Sequence, residues 1–559
     1  MKNNRSHPIG LLLVILLAGC NLPTSQGLSV TTVGSTPTAE VRKASATPFQ
    51  PLPTETLTPT AEVQGLWIDL AVPEALVSDL AIPSDLRIVD APELAKSRLE
   101  PSTEINAPIR WIYVLAAPFA TLQDDVSSAE LQAFWRDEAA QPFGDAPLAL
   151  TSTTLRAFEF LWGSANVNKL RVANDIGELE QLRDAEHAWA ILPFEQLGPQ
   201  WKVISIDGEN PLLRGLDLDA YPLAVSFTLT GSYSETALQH PFTNRDENQL
   251  TVLVMTGVTA LVRATAATMN IKGIEYPASS ILDWLTTADL THVSNEVSFS
   301  PACPQANYSD TSLQMCSQPD YIQLLTAAGV DIVELSGNHL NDYGREPLVY
   351  TLDLYNQLGF RYFAGGYNLA EARQPLLVED HGNRLAFIGC NPAGPPNVWA
   401  TDSLAGAAPC DDYEWIKDQI SRLRADGYLP VVSLQYFEAY RPEALNWEKR
   451  DFRALADSGA IIVSGSQAHY PMGMEFFNGA LIHYGLGNLF FDQMRYTLPN
   501  GVITDWTARE FIDRHIFYNG RYISTQLLTA RLEEYARPRP MTNEERQEML
   551  DVIFTASGW

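Results

Sequence analysis

Short apolar runs alternate with amphipathic stretches along most of the chain, beginning near residue 66. Residues 110–118, RWIYVLAAP, are almost wholly apolar and predict a buried strand. Residues 346–359 place four large apolar side chains on one face and predict an amphipathic helix. Strands that alternate with helices in this way favour an α/β fold.

The same pattern continues through the rest of the chain. The predicted strands are 110–118, 169–175, 188–194, 202–208, 250–257, 289–296, 330–339, 384–390, 429–437 and 460–469, and the predicted helices are 153–163, 176–184, 280–288, 320–329, 346–359, 411–427, 447–459 and 540–559. Thr542 and Glu545 have the spacing of a capping box, which predicts the start of the last helix.

The N-terminus carries an export signal. Lys2 and Arg5 precede an apolar stretch from 9 to 18, which is shorter than the roughly 20 residues that span a bilayer but typical of a signal peptide. The stretch ends in Leu-Ala-Gly-Cys20, which resembles the lipobox of bacterial lipoproteins, whose cysteine is lipidated and becomes the mature N-terminus. The alternative is an ordinary secretory signal followed by a chance cysteine.

Residues 20–65 are rich in threonine, proline and serine and show no apolar periodicity. A segment of this composition cannot bury enough surface to fold, so we predict a disordered tether. The predicted location is therefore the outside of the bacterial cell membrane, with the folded part held away from the lipid anchor.

Four cysteines remain after Cys20, and an even number in an exported protein indicates disulfides. Four cysteines allow three pairings. Cys303 with Cys316 and Cys390 with Cys410 are favoured, because each pair closes a short loop. A thiolate metal site is disfavoured, because the chain has no Cys-x-x-Cys motif.

The chain carries 37 Lys and Arg against 67 Asp and Glu, a formal charge of −30. Nucleic acids bind basic surfaces, so this balance argues against a nucleic-acid partner. The ordinary consequence of such a charge is solubility.

One N-terminal segment resembles a known family of binding proteins. Pro193-Phe194, Asp207-Gly208 and Tyr221-Pro222-Leu223 lie in a run that is similar to the second lobe of phosphate-type solute-binding proteins. No helix start rich in Ser, Thr and Gly is present to cradle a phosphate. The resemblance therefore implies the fold without its ligand.

Polar residues cluster where the later predicted strands end, at Glu296, Asn338-His339, Gln435 and His469. Ligand sites of open α/β sheets lie at these carboxyl ends. The segments around them are ADLTHVSNE, GVDIVELSGNHLNDYG, VVSLQYFEAY and VSGSQAHYPMGMEFFNGALIHYGLGNLFFDQ. Together they resemble the CapA family of capsule and poly-γ-glutamate synthesis proteins over about residues 250–495. The resemblance implies a calcineurin-like metallophosphoesterase sandwich, in which helices flank two packed sheets.

The metal ligands implied by this family are only partly present. Val258 stands where the family has an aspartate, and Gln435, Ser466 and Gln467 stand where it has histidines. A two-metal centre needs several carboxylate and imidazole ligands, including one that bridges the ions. The predicted ligands that remain, which suit one Zn or Mn ion, are Glu296, Asn338, His339 and His469.

Several of these residues have a second interpretation. Asn338 and His339 could cap the following helix, as could Asp342, and Glu296 could be a solvated carboxylate. His292 and His483 lie within strands and are expected to be structural. The aromatic residues Tyr436, Phe437 and Tyr440 are more typical of a core than of a polymer-binding platform.

The predicted architecture is a small solute-binding-like α/β domain followed by a metallophosphoesterase-like sandwich. The predicted segments are 1–19 (signal peptide), 20–65 (tether), 66–245 (solute-binding-like), 246–535 (CapA-like) and 536–559 (C-terminal helix). Two functions stay open. One is a metal-dependent hydrolase or transferase with His339, His469 and Asp342 as candidate catalytic residues. The other is a non-catalytic protein that binds a cell-surface polymer or a small anion.

Overall fold

The computed structural model describes residues 63–104, 107–138, 143–166, 168–232 and 241–559. The predicted signal peptide, Cys20 and nearly all of the predicted tether lie outside the described residues. The segment Ala61–Trp559 forms one compact unit. In the described ranges, no helix combines the length and the apolar character needed to cross a membrane.

The described residues form many short elements, numbered here along the chain. The strands are β1 (Gln64–Ile68), β2 (Leu86–Ile88), β3 (Ser97–Ser102), β4 (Ile109–Pro118), β5 (Asp125–Val126), β6 (Leu148–Thr151), β7 (Leu170–Ala173), β8 (Trp189–Pro193), β9 (Trp201–Ile206), β10 (Ala224–Gly231), β11 (Leu250–Thr259), β12 (Leu290–Asn295), β13 (Ile332–Glu334), β14 (Arg361–Phe363), β15 (Gly365–Gly366), β16 (Leu376–Asp380), β17 (Asn383–Cys390), β18 (Gly406–Ala407), β19 (Leu429–Leu434), β20 (Ile462–Gly465), β21 (Met474–Phe477), β22 (Ala480–His483), β23 (Tyr496–Thr497), β24 (Ile503–Thr504), β25 (Arg509–Tyr518), β26 (Arg521–Glu533) and β27 (Arg537–Pro540). The helices are α1 (Glu74–Ser78), α2 (Ser128–Trp135), α3 (Ser152–Trp162), α4 (Ile176–Glu186), α5 (Arg263–Lys272), α6 (Leu282–Thr286), α7 (Ile322–Ala327), α8 (Arg345–Leu358), α9 (Leu369–Ala372), α10 (Glu414–Ala425), α11 (Asn446–Asp457) and α12 (Asn543–Ser557).

The N-terminal part is built on one mixed sheet with the order β2-β1-β3-β10-β4-β8-β6-β7, and β9 pairs with β4 and β5. β4 is the predicted strand 110–118, and its side chains from Trp111 to Ala117 are all buried. It is apolar throughout because it has neighbours on both edges and side chains packed on both faces.

The rest of the chain forms two further sheets that pack face to face. Their orders are β14-β13-β12-β11-β25-β26-β27 and β16-β17-β19-β20-β22-β21. Side chains such as Met255, Ile332, Phe387 and Val431 from both sheets share one core. α5 to α8 cover the outer face of the first sheet and α10 and α11 that of the second, so helices flank two packed sheets.

The N-terminal sheet shares its core with the first sheet of this sandwich. Leu250, Ile516 and Ile523 belong to the same buried cluster as the residues of β4 and β8. The rings of Phe194 and Tyr518 meet edge to face at 5.0 Å. The described chain is thus a mixed α/β fold of several sheets, and the boundary at 245/246 stays a prediction.

Most predicted elements are present, with ends that differ by a few residues. The helix predicted at 346–359 is α8, and the strand predicted at 384–390 is β17. The strand predicted at 330–339 is shorter than predicted and corresponds to β13, because the chain leaves the sheet after Glu334 to form a loop. The capping box of the last helix forms as predicted, since the backbone amide of Glu545 donates to Thr542 Oγ1 at 3.3 Å.

Candidate functional site

The polar strand ends come together at one edge of the sandwich. β11, β12 and β13 run parallel in the first sheet, as do β17, β19, β20 and β22 in the second. Because parallel strands end on the same side, the residues that follow them meet at one place. Glu296 follows β12, the Asn338-His339 pair lies in the loop after β13, and Gln435 follows β19.

A close backbone contact draws the loop after β13 towards Glu296. A side chain at Gly337 would place its Cβ only 2.6 Å from the Cα of Glu296, so glycine is required there. His339 also forms a parallel bridge with Val297. The loop therefore carries Asn338 and His339 directly beside the fully buried Glu296.

The side-chain amide of Gln435 links two of the predicted metal ligands. Its Nε2 donates to Glu296 Oε1 at 3.0 Å and to Asn338 Oδ1 at 3.2 Å. Its Oε1 lies 3.3 Å from Ser466 Oγ. Both Gln435 and Ser466 stand where the CapA resemblance implies histidines. The amide group thus takes up Glu296 Oε1 and Asn338 Oδ1, two oxygens that could otherwise bind a cation.

The second oxygen of Glu296 remains open. Glu296 Oε2 is buried and has no hydrogen-bond partner among the described residues. A buried carboxylate oxygen without a partner is costly unless a cation or a donor reaches it. This oxygen can accept one metal ion or one donor group.

His339 is held in place by Asp342. His339 Nδ1 lies 2.7 Å from Asp342 Oδ2, which also accepts the backbone N–H of Met315 at 2.8 Å. Burial alone would lower the pKa of His339, but the hydrogen bond to Asp342 and the charge of Glu296 outweigh it and raise the pKa. Asp342 therefore orients an imidazole whose Nε2 is left for a ligand or a proton, as in many metal and catalytic sites.

None of these loop residues caps the helix that follows. α8 begins after Gly344, and among the described residues no side-chain hydrogen bond caps its start. The interpretation of Asn338, His339 or Asp342 as helix caps was therefore wrong. Their side chains are used inside the loop instead, where each has a partner.

His469 is fixed by a different partner. Its Nδ1 lies 2.8 Å from Asn488 Oδ1, and Asn488 Nδ2 donates to the backbone oxygen of Thr507 at 3.0 Å. Asn488 also bridges to Val258 at the end of β11. Within the described residues no hydrogen bond joins His469 to Glu296, Asn338 or His339, so the histidine stands in a separate network.

The predicted ligands do not form a compact metal centre. In the part of the chain that is described, one group of three or more His, Cys, Asp or Glu side chains has its ligand atoms within 4.8 Å of one another, and it consists of Asp289, Asp380 and His381. Asp289 precedes β12 and so lies at the opposite edge of the sheet.

A buried carboxylate beneath the site was missed by the sequence analysis. Glu334, at the end of β13, is fully buried and accepts hydrogen bonds from Ser433 at 2.7 Å, from Ser466 at 3.0 Å and from Ser336. Burial raises the pKa of Glu334, although the serine hydroxyls oppose this rise. Its signal in the sequence was a glutamate inside the apolar run DIVEL.

The two histidines expected to be structural are buried. His292, in β12, lies 3.8 Å from Glu334 through its Nε2, and burial lowers its pKa to about 3. His483 Nδ1 lies 2.6 Å from Asp513 Oδ2, which joins β22 of the second sheet to β25 of the first. His292 lies inside β12, whereas His483 is the last residue of β22, and both side chains are buried.

Of the three aromatic residues, Tyr436 is buried and packs against Phe452, as expected of a core. Phe437 is largely exposed, and Tyr440 stacks on Tyr496 with ring centroids 3.6 Å apart. The prediction of a core therefore holds for Tyr436 only.

Both predicted disulfides are present. Cys303 pairs with Cys316 and Cys390 pairs with Cys410. The first of them closes the loop that carries Met315, whose backbone amide donates to Asp342. It thus anchors the partner of His339.

The segment that carries this site is similar to known proteins. Residues 252–493 match the family model described as bacterial capsule synthesis protein PGA_cap. The chain is 23% identical to the capsule biosynthesis protein CapA of Bacillus anthracis, over 54% of this chain and 72% of that protein. It is 25% identical to the PGA biosynthesis protein CapA of Bacillus subtilis, over 34% of this chain and 51% of that protein.

The chain is also similar to the solved structure of a hypothetical protein from Thermus thermophilus. The aligned region covers 50% of this chain and 100% of that chain. The sequence identity is 16% and the TM-score is 0.31, so no inference rests on that likeness. The segment that matches the family model contains every predicted metal ligand, from Glu296 to His469.

Proposed function

We propose that this chain is an exported, lipid-anchored protein of the CapA type that acts in the synthesis or handling of a capsule or poly-γ-glutamate polymer. The match over residues 252–493 and the names of the two Bacillus relatives support a role with this kind of polymer. The leader and Cys20 support the location, and the predicted tether would hold the folded part outside the membrane.

We further propose that its site holds one divalent cation, Zn or Mn, in place of two. One observation carries this proposal. The Gln435 amide takes up Glu296 Oε1 and Asn338 Oδ1, whereas Glu296 Oε2 is buried and open. A cation bound at Glu296 Oε2 and His339 Nε2 would satisfy that oxygen, and Asp342 would keep the imidazole in the orientation required.

With one ion, such a site could polarise a carbonyl or phosphoryl group as a Lewis acid. His339 would hold the ion through Nε2 while its Nδ1 stays on Asp342, so the imidazole would bind and orient the ion and would not also donate a proton. The neighbouring carboxylates Glu296, Asp342 and Glu438 make this edge acidic, so it suits a cation better than a polyanion.

Elemental mass spectrometry of the purified full chain tests the number of ions. We expect one Zn or Mn per chain, removed by His339→Ala and by Glu296→Gln. His187→Ala is the matched control, because His187 is an exposed histidine directly after α4 and its loss should leave the metal content unchanged. Two ions per chain would contradict the proposal.

A second candidate is a binding protein without catalysis, which the loss of the ligands at Val258, Gln435 and Ser466 favours. No bound metal after incubation with excess Zn or Mn would select this candidate. Co-sedimentation of the chain with poly-γ-glutamate, compared with an uncharged polysaccharide of similar length, then measures polymer binding directly. No preference for poly-γ-glutamate would contradict a role in handling that polymer.

A further inference from the structure

A cavity of about 330 Å³ lies between the N-terminal sheet and the sandwich, away from the strand ends described above. β9 forms one wall, and β26 with α12 forms the other. Its apolar lining includes Phe119, Trp284 and Leu527. The volume is at the lower end of the range for small-molecule sites, roughly 300–1,000 Å³.

The charged lining of this cavity is positive, although the whole chain carries a charge of −30. Lys202, Arg514 and Arg546 face it together with one carboxylate, that of Asp124. Asp124 accepts two hydrogen bonds from Arg546, at 2.8 and 2.9 Å, and lies 2.7 Å from Lys202 Nζ. One carboxylate cannot neutralise three cations, so positive charge remains.

Two guanidinium N–H groups at the cavity lack partners. Arg514 is only 7% exposed, and its Nε is buried without a hydrogen-bond partner among the described residues, as is Nη1 of Arg546. Arg514 Nη1 donates a long hydrogen bond, of 3.4 Å, to Gln526 Oε1. Buried charged donors of this kind are costly unless an acceptor reaches them.

We propose that this cavity binds a small organic carboxylate, with its anionic group on Arg514 and Arg546 and its apolar part against Phe119 and Trp284. An arginine fork matches a carboxylate in geometry and charge. The site does not depend on the proposed function, because it shares no residue with the strand-end site. Its walls come from both parts of the chain, so the ligand would fasten the N-terminal sheet to the sandwich.

Isothermal titration calorimetry of the full chain tests the proposal with acetate, benzoate, octanoate and L-glutamate as probes. Benzamide, the neutral analogue of benzoate, tests the requirement for charge. We expect at least one of the four carboxylates to saturate below about 10 mM, and benzoate to bind at least about tenfold more tightly than benzamide. Equal binding of benzoate and benzamide, or no saturation by any carboxylate, would overturn the proposal.

Arg514→Gln should reduce the affinity for the tightest carboxylate at least about tenfold. Arg136→Gln is the control, because Arg136 is an exposed arginine paired with Glu138. Circular dichroism establishes whether the variants are folded. If Arg514→Gln is not folded, Arg546→Gln carries the same expectation. Affinity that is unchanged in a folded variant would show that the guanidinium does not hold the ligand, and the proposal would fail.

Discussion

Replacing Gln435 by leucine tests the central feature of the strand-end site. The amide of Gln435 makes one hydrogen bond to a carboxylate and one to an amide oxygen. A bond to a charged group contributes about 1.5–3 kcal/mol and a neutral one about 1 kcal/mol. Because leucine leaves a buried carboxylate oxygen and a half-buried amide oxygen unpaired, we expect the variant to lose about 3 kcal/mol of unfolding free energy without metal.

Urea unfolding followed by tryptophan fluorescence measures this loss. Added Zn or Mn should restore more stability in Gln435→Leu than in the wild type, because the freed Glu296 Oε1 can then also bind the ion. Gln493→Leu is a matched control, since that amide makes one neutral bond, to Tyr440 at 2.9 Å, and should lose only about 1 kcal/mol. Equal unfolding midpoints for Gln435→Leu and the wild type would refute the reasoning.

Three further substitutions test the surroundings. Asp342→Asn should lower the pKa of His339, because it removes a charge that raises this pKa. An NMR titration of the imidazole measures the change, and an unchanged pKa would contradict the pairing of His339 with Asp342. Glu334→Gln should stabilise the chain at pH 7, and this gain should vanish as the pH falls below about 4.3. The reason is that a carboxyl with a raised pKa weakens the fold only at a pH where the unfolded chain ionises it. Thermal melting from pH 4 to 8 tests this, and a pH-independent difference would contradict it. Replacing Cys303 and Cys316 together by serine should destabilise the chain by about 3 kcal/mol in urea unfolding, as expected for a loop of this length, and an unchanged midpoint would show that the disulfide is not formed in solution.

The strand-end site and the cavity differ in charge. Glu296, Asp342 and Glu334 make the strand-end site acidic, whereas Arg514 and Lys202 make the cavity basic. The two sites suit different ligands, since an acidic edge concentrates cations and a basic cavity admits small anions. The experiments above address the two sites with separate residues, so one can fail without the other.

Most of the helices and strands could be predicted from the amino-acid sequence alone. Apolar runs and helical spacing placed β4, β11 and β17 and the helices α3, α8 and α11, because burial on a sheet or under a helix requires those periods. The spacing of Cys303, Cys316, Cys390 and Cys410 also favoured the two pairings observed, because each closes a short loop. These features depend on neighbours close in the chain.

The contacts of the candidate residues could not be predicted from the sequence and depend on how the sheets pack. Gln435 and Glu296 are far apart in sequence, so only the packing of the two sheets shows that the amide bonds to the carboxylate. The burial of Glu334 under Ser433 and Ser466 has the same origin. The cavity with Arg514 lies between segments hundreds of residues apart, and no local pattern marks it. Hydrogen bonds and charges act through space, whereas periodicity reports only the local fold.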